Sequence, residues 1–272
     1  MKNSSLLMII AILIVAMNSV GQSIAPAPPP AGISEKKIAP KTYHYTNSDD
    51  SLFLDSLFKG YDKSGSNTGI KKTTPAGTTV TIGTQTWMVK NLDVSAFRNG
   101  DAIKEAKDTE KEWDDATDKG KPAWCYYNND PGNGKIYGKL YNWAAVTDSR
   151  GLAPEGFHVA TDAEWTVLIE FLGGKESAGG KLKEAGTSHW NPNLKSTNSS
   201  EFTALPGGYR EGGYREDHGE FLDIGGFAHW WTATKHNNDG AWSIYLYADD
   251  SFINIDYEDK TFGMSVRCVK DK

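Results

Sequence analysis

The last third of the chain alternates apolar and polar residues with a period of two, and this pattern restricts the possible folds most. Three stretches carry it, separated by short polar turns: residues 242–247, 252–257 and 262–269. Alternation of this kind is typical of strands that bury one face. We therefore predict a three-stranded antiparallel meander at the C-terminal end of the domain.

The middle of the chain has helical spacing instead. Thr161 and Glu164 have the spacing of a capping box. The apolar residues that follow repeat at i, i+3, i+4 and i+7, which predicts an amphipathic helix: Trp165, Leu168, Ile169 and Leu172. Residues 177–185 predict a second, short helix, and residues 137–148 also have near-helical spacing.

Strand-like residues 79–82 and 85–88 flank a Gly-Thr turn and predict a hairpin near residue 78. The chain has 28 Gly and 11 Pro, which favours short strands and long loops over a helical bundle. Its 9 Trp, 12 Tyr and 10 Phe can fill a core, and we assign Trp230 and Trp231 to it. The expected fold class is α+β.

The N-terminal end has the features of a signal peptide. Lys2 precedes an apolar stretch at residues 6–17, and small residues follow up to Gly21. This stretch is shorter than the roughly 20 apolar residues that cross a bilayer. We predict a signal peptide at residues 1–21 and no membrane span after its cleavage, with an uncleaved anchor as the alternative. The mature protein is then expected at the cell surface or outside the cell, with the periplasm left open.

Residues 22–77 have the composition of a linker. Five prolines lie within residues 22–42, and residues 63–77 are rich in Ser, Gly, Thr and Lys. Residues 49–60 predict a short helix, with an adhesive tether as the alternative. We assign residues 78–272 to the folded domain.

Charge and cysteine content exclude several classes of protein. Lys plus Arg is 29 and Asp plus Glu is 35, so the net charge is −6 and no basic excess is present to bind nucleic acid. Two cysteines are too few for a disulfide-dense scaffold. In an oxidising compartment we expect Cys125 and Cys268 to form a disulfide, with two buried free thiols as the alternative.

Several motifs, in order, resemble the Fibrobacter succinogenes major paralogous domain, whose members are mostly exported proteins of Fibrobacteres and Bacteroidetes. They lie at residues 80–92, 137–143, 156–165, 204–210, 230–234 and 263–270. That family is similar to the formylglycine-generating sulfatase-modifying family and, more distantly, to C-type lectins. The resemblance implies a C-type-lectin-like fold with two or three helices and short twisted antiparallel sheets. Cysteines that many members carry near residues 132–135 and 151–154 are absent.

The catalytic motifs of the related enzymes are missing. Formylglycine-generating enzymes use two cysteines a few residues apart, whereas Cys125 and Cys268 are distant in sequence. The six histidines do not form the His-x3-His-x-Glu cluster of iron-dependent relatives, and no G-x-S-x-G motif is present. We therefore predict no catalytic residues. An exported enzyme with an unrecognised active site is the alternative.

Two acidic stretches offer oxygen ligands for calcium. One is residues 127–134, and the other combines Asp249 and Asp250 with Asp256, Glu258 and Asp259. Turns capped by Asn and Asp explain the same residues. We predict no metal site and no cofactor, and calcium stays an open alternative.

Strand alternation predicts a binding face. If Trp242, Ile244 and Leu246 face the core, the intervening residues face outward. The predicted ligand-binding residues on this face are Tyr245, Tyr247, Phe252, Asn254 and Asp256. Rigid rings beside short hydrogen-bonding side chains are typical of binding surfaces. We expect a non-catalytic binding or adhesion module for a glycan or protein ligand, with an ordinary half-exposed sheet as the alternative.

Overall fold

The computed structural model describes residues 79–107, 110–212 and 219–272, all of which belong to the unit Gly65–Lys272. The predicted signal peptide, the linker and its helix at residues 49–60 lie outside the described residues. Where the chain is described, it is mixed α and β, as predicted, and no helix there is both long and apolar enough to cross a membrane.

The helices are short and precede the long C-terminal strands. The α-helices of the described residues are α1 Glu110–Asp118, α2 Pro131–Tyr137, α3 Trp143–Val146, α4 Asp162–Phe171 and α5 Lys175–Leu182. The strands are β1 Thr79–Ile82, β2 Gln85–Met88, β3 Lys104–Glu105, β4 Ala123–Cys125, β5 Leu140–Tyr141, β6 Phe157–Val159, β7 Tyr209–Arg210, β8 Phe221–Leu222, β9 Phe227–Lys235, β10 Gly240–Tyr247, β11 Ile253–Asp259, β12 Ser265–Val266 and β13 Cys268–Lys270.

The strands form four small sheets, which are mostly antiparallel. Their orders are β1-β2-β13-β6, β11-β10-β9-β12, β3-β4-β5 and β7-β8. The second sheet, which we call the central sheet, contains the longest strands, and within it β9, β10 and β11 pair antiparallel.

Local sequence signals placed the first hairpin and the longest helix correctly. Strands β1 and β2 pair around a turn at Gly83, whose φ of 59° favours glycine. Helix α4 begins after the capping box in which Thr161 and Glu164 bond each other's backbone. Its predicted apolar stripe is buried throughout. The second predicted helix is present as α5, and residues 137–148 split between β5 and α3.

The predicted C-terminal meander is wrong in its third strand. Strands β10 and β11 pair as predicted, but residues 262–269 form two short strands in different sheets: β12 pairs parallel with β9, and β13 pairs with β2 and β6. Arg267 lies between them and is buried. Its guanidinium donates to Asn91 Oδ1 at 2.8 Å and to the carbonyls of Met88, Phe202 and Thr203, so the chain leaves the central sheet here.

The central sheet is covered on both faces. Trp230 and Trp231 are adjacent and fully buried, as predicted, but they enter different hydrophobic clusters because neighbouring strand residues point to opposite faces. The Trp230 cluster includes the buried stripe of α4. We call its side of the sheet the inner face and the Trp231 side the outer face.

The disulfide prediction is wrong, because both cysteines are buried free thiols. Strand pairing explains why they stay apart. Cys125 pairs with Leu140 and joins the cluster around Trp113, whereas Cys268 pairs with Val159 and joins the cluster around Trp231. The alternative of two buried free thiols describes the structure.

Candidate ligand-binding site

The predicted binding residues of β10 and β11 lie on the outer face of the central sheet. Tyr245 pairs with Asn254 across β10 and β11, and Asp256 pairs with Ser243 on the same face. On the other side of β10, His229 pairs with Tyr245. The alternation of the two strands was thus predicted correctly, and it brings these side chains together.

Most of this face is nevertheless closed to solvent, which corrects the prediction that it is open. Tyr245 and Asn254 are each 8% exposed, and Ser243, two residues before Tyr245 on β10, is fully buried. Phe252 and Asp256 are half-buried. Tyr247, at the end of β10, is 38% exposed and is the only one of the five predicted residues that is well exposed.

Aromatic rings cover the outer face, and we call them the aromatic strip: Tyr209, Phe227, His229, Tyr245, Tyr247 and Phe262. Phe227 lies at its centre, with ring centroids 5.1 Å from Tyr245 and 4.9 Å from Tyr247. Tyr209 from β7 packs against Phe227 at 5.7 Å and stacks on Phe262 at 5.9 Å. The strip therefore behaves as a second core, with one end open at Tyr247.

His229 lies inside the strip and is held neutral. Burial lowers its pKa from 6.5 to about 3. Its Nε2 lies 3.1 Å from Oγ of Ser243, which in turn donates to the carbonyl of Asp256 at 3.3 Å. Nδ1 has no hydrogen-bond partner among the described residues. A hydrolytic triad needs a carboxylate at that nitrogen and an accessible serine, so this pair does not have the arrangement of one.

A second aromatic group lies at the other end of β10, and we call it the aromatic corner: His236, Trp242 and Tyr257. Trp242 and Tyr257 are paired across β10 and β11, so they share one face of the sheet. His236 stacks on Tyr257 with centroids 4.1 Å apart and planes 14° apart, and it meets Trp242 edge-on at 4.7 Å.

The corner is open where the strip is closed. Tyr257 is 50% exposed, His236 is exposed and Trp242 is half-buried. Sequence reasoning assigned Trp242 to the core and did not single out the other two residues. Ile244, two residues further on, is fully buried on the inner face, so the core ends between these positions. The signal that could have found the corner is the hairpin turn at residues 236–239, which places a histidine beside two paired aromatic residues.

Comparison with known protein families places the chain. The sequence profile of the Fibrobacter succinogenes major domain matches residues 80–270. The chain belongs to this family. No curated protein and no solved structure matches the chain.

Neither thiol of this Fibrobacter succinogenes major domain has the environment of a nucleophile. Burial raises the pKa of Cys125 to about 11, although the nearby Arg210 guanidinium acts in the opposite direction. Burial also raises the pKa of Cys268 to about 12, against the charge of Arg267. Reactive cysteines have lowered pKa values and access to solvent. Both thiols are therefore protonated core side chains at neutral pH.

Several of the acidic residues that could serve as calcium ligands accept hydrogen bonds from the backbone of the domain instead. Asp130 caps α2 and accepts the N–H of Gly132 at 2.7 Å, and Asp250 accepts the N–H of Phe252 at 2.9 Å. Asp259 likewise accepts the N–H of Thr261 at 2.9 Å. In residues 79–107, 110–212 and 219–272, no group of three or more His, Cys, Asp or Glu could hold a metal ion. These carboxylates serve as caps of turns and helices.

Proposed function

We propose that the chain is an exported, non-catalytic binding or adhesion module that recognises a glycan or protein ligand at the open end of the aromatic strip. The observation that carries this proposal is the exposed ring of Tyr247, which lies against buried Phe227 and Tyr245. A large ring held at the surface by a packed layer is a rigid contact that loses little entropy on binding.

Neighbouring groups complete this contact. Phe252, which follows the turn after Tyr247, is half-buried and adds apolar surface. Asp249 is exposed in the same turn and can accept hydrogen bonds. The carbonyl of Tyr247 accepts a hydrogen bond from the buried Lys183 ammonium at 3.0 Å, which fixes the backbone under the ring. The turn therefore presents an apolar ring, a carboxylate and a fixed backbone.

The proposal also includes a location outside the cytoplasm and a C-type-lectin-like fold. The signal-peptide features of residues 1–21 support a location at the cell surface or outside the cell, and the periplasm is compatible with the same features. The family resemblance and the mixed α and β architecture support a C-type-lectin-like fold. No cofactor and no catalytic residue is part of the proposal.

The test is binding by the full mature chain on a glycan array and to immobilised candidate surface proteins. We expect saturable binding that Tyr247→Ala weakens about tenfold or more, since a buried aromatic contact contributes over 1 kcal/mol. Tyr247→Phe keeps the ring and is the matched control. Binding that is indifferent to Tyr247→Ala contradicts the assignment of the contact, and turnover of a substrate by the purified chain contradicts the non-catalytic role.

A further inference from the structure

We propose that the aromatic corner is a second ligand site, which binds neutral pyranose glycans by stacking a sugar ring on Tyr257 while Trp242 borders the sugar. The site is separate from the one at Tyr247. Trp242 and Tyr247 are five positions apart on β10, or about 17 Å at the usual rise per residue, and they lie on opposite faces. The inference therefore does not depend on the function proposed above.

The corner exposes more apolar ring surface than folding alone explains. Tyr257 is half exposed although buried aromatic rings stabilise a fold far more than exposed ones. His236 covers part of it by stacking at 4.1 Å, and Trp242 stands nearly perpendicular to His236 at 79°. Two aromatic planes thus meet at an angle, which gives a ligand ring one surface to stack on and a second to border it.

The turn that carries His236 is held in place by hydrogen bonds within the protein. Asn237 Oδ1 accepts the N–H groups of Asp239 and Gly240 at 2.9 and 2.7 Å. The Lys260 ammonium donates to the carbonyls of Asn237 and Asn238. A Cβ at Gly240 would lie only 3.1 Å from the Tyr257 ring, so glycine permits this close approach. The rings are therefore preorganised, which lowers the entropic cost of binding.

The charges around the corner favour a neutral ligand. Exposed Lys235 and half-buried Lys260 lie among exposed Asp239 and half-buried Glu258 and Asp259 on the same hairpins, so both signs are present and neither has a large excess. Lys260 is also engaged by the turn carbonyls. No single-sign field is present here to select a polyanion or a polycation.

The size and chemistry of the corner favour a sugar over a protein. A stable protein interface buries about 1,200–2,000 Å², far more than three rings provide. A pyranose has a face of C–H groups that suits the negative face of an aromatic ring, and hydroxyls at its edge. Asn237, Asn238 and Asp239 are exposed beside the rings and can bond such hydroxyls.

The experiment is calorimetric titration of the full mature chain with cellohexaose, mannohexaose and trigalacturonate. We expect at least one neutral hexaose to bind and trigalacturonate not to bind. Tyr257→Ala and His236→Ala are each expected to weaken that binding about tenfold, the equivalent of one aromatic contact. Tyr257→Phe keeps the stacking plane and is expected to stay within about threefold of the wild type.

The remaining outcomes overturn the inference. One such outcome is that neither cellohexaose nor mannohexaose binds. The others are that trigalacturonate binds more tightly than the neutral hexaoses, and that Tyr257→Ala leaves the binding of a neutral hexaose unchanged. Tyr247→Ala separates the two proposals, because glycan binding at the corner does not depend on it. If Tyr247→Ala abolishes glycan binding and Tyr257→Ala does not, the glycan binds at the strip and the corner site is wrong. Circular dichroism of each variant confirms that it is folded.

Discussion

The aromatic strip and the aromatic corner are both groups of aromatic side chains that include residues of β10, yet one is mostly closed to solvent and the other is open. In the strip, β7 and the segment after β11 supply Tyr209 and Phe262, which cover the outer face. At the corner, the inner-face cluster ends at Ile244, and no described aromatic residue beyond His236 contacts Tyr257 and Trp242. What distinguishes the two groups is the cover that other parts of the chain supply.

Because of this difference in cover, the rings of the strip are expected to stabilise the fold and the rings of the corner to bind a ligand. A ring surrounded by other rings contributes to folding because its removal leaves a cavity. A ring that is half exposed contributes little to the stability of the fold, and its exposed surface is available to contact a ligand. We therefore expect substitutions in the strip to alter stability and substitutions in the corner to alter binding.

The largest expected effect is on stability at the centre of the strip. Phe227→Ala removes a ring that contacts Tyr209, His229, Tyr245 and Tyr247, and we expect a loss of about 3–5 kcal/mol in the free energy of unfolding. Tyr257→Ala at the corner is expected to cost less than about 1 kcal/mol. Urea unfolding of both variants measures their free energies of unfolding. Equal losses in the two variants would contradict the claim that the strip contributes more to stability than the corner.

The next largest effect is a loss of stability at acid pH, caused by His229 in the strip. The pKa of His229 is about 3 in the folded protein and 6.5 for the free side chain, so the unfolded chain binds the proton first as pH falls. The stability from this group is complete above pH 6.5 and declines towards pH 3, by about 3 kcal/mol between pH 6.5 and 4. His229→Gln is expected to remove this part of the pH dependence in urea unfolding, and identical pH profiles would refute it.

A smaller effect is expected at the turn that supports the corner. Lys260→Met removes the donor to the carbonyls of Asn237 and Asn238, and we expect a loss of about 1 kcal/mol together with faster amide exchange across residues 236–240. Lys235→Met on the same hairpin is the control, since that ammonium bonds only a side chain, Asn238 Oδ1 at 3.1 Å, among the contacts described. Unchanged exchange in Lys260→Met would show that the turn is rigid without it.

The smallest effect concerns His158, a partly exposed histidine whose pKa shifts in the opposite direction to that of His229. Burial acts to lower its pKa, but hydrogen bonds to Asp271 at 2.7 Å and Glu164 at 2.8 Å outweigh it and raise the pKa. The stability from this group is complete below the unfolded pKa and is lost as pH rises through the folded pKa, by less than about 1 kcal/mol because the site is partly exposed. NMR titration is expected to show a lower His158 pKa in Asp271→Asn, and an unchanged pKa would contradict the pairing.

The sequence predicted the elements that depend on local signals. The capping box of α4, its apolar stripe and the β1–β2 hairpin are determined by residues close together in the chain. The alternation of β10 and β11 likewise told which residues share a face. Family membership was also predicted correctly from motifs along residues 80–270.

What the sequence did not predict depends on contacts between distant segments. Alternation cannot show that Tyr209 and Phe262 close the outer face, or that Trp242 lies past the end of the core. The turn of the chain at Arg267 depends on carbonyls of residues 88, 202 and 203 that accept from its guanidinium. The predicted disulfide was also wrong for this reason. Strand register determines which thiols lie close together, and the spacing of cysteines in the sequence does not show the register.

The central claim, that the strip is closed and the corner open, is tested most directly by hydroxyl-radical footprinting of three tyrosines in one native sample. Their exposed fractions are 50% for Tyr257, 38% for Tyr247 and 8% for Tyr245. Peptide mapping by mass spectrometry is expected to rank their oxidation rates in that order, with Tyr245 protected until the protein unfolds in urea. Oxidation of Tyr245 in the native protein as fast as that of Tyr257 would contradict the account.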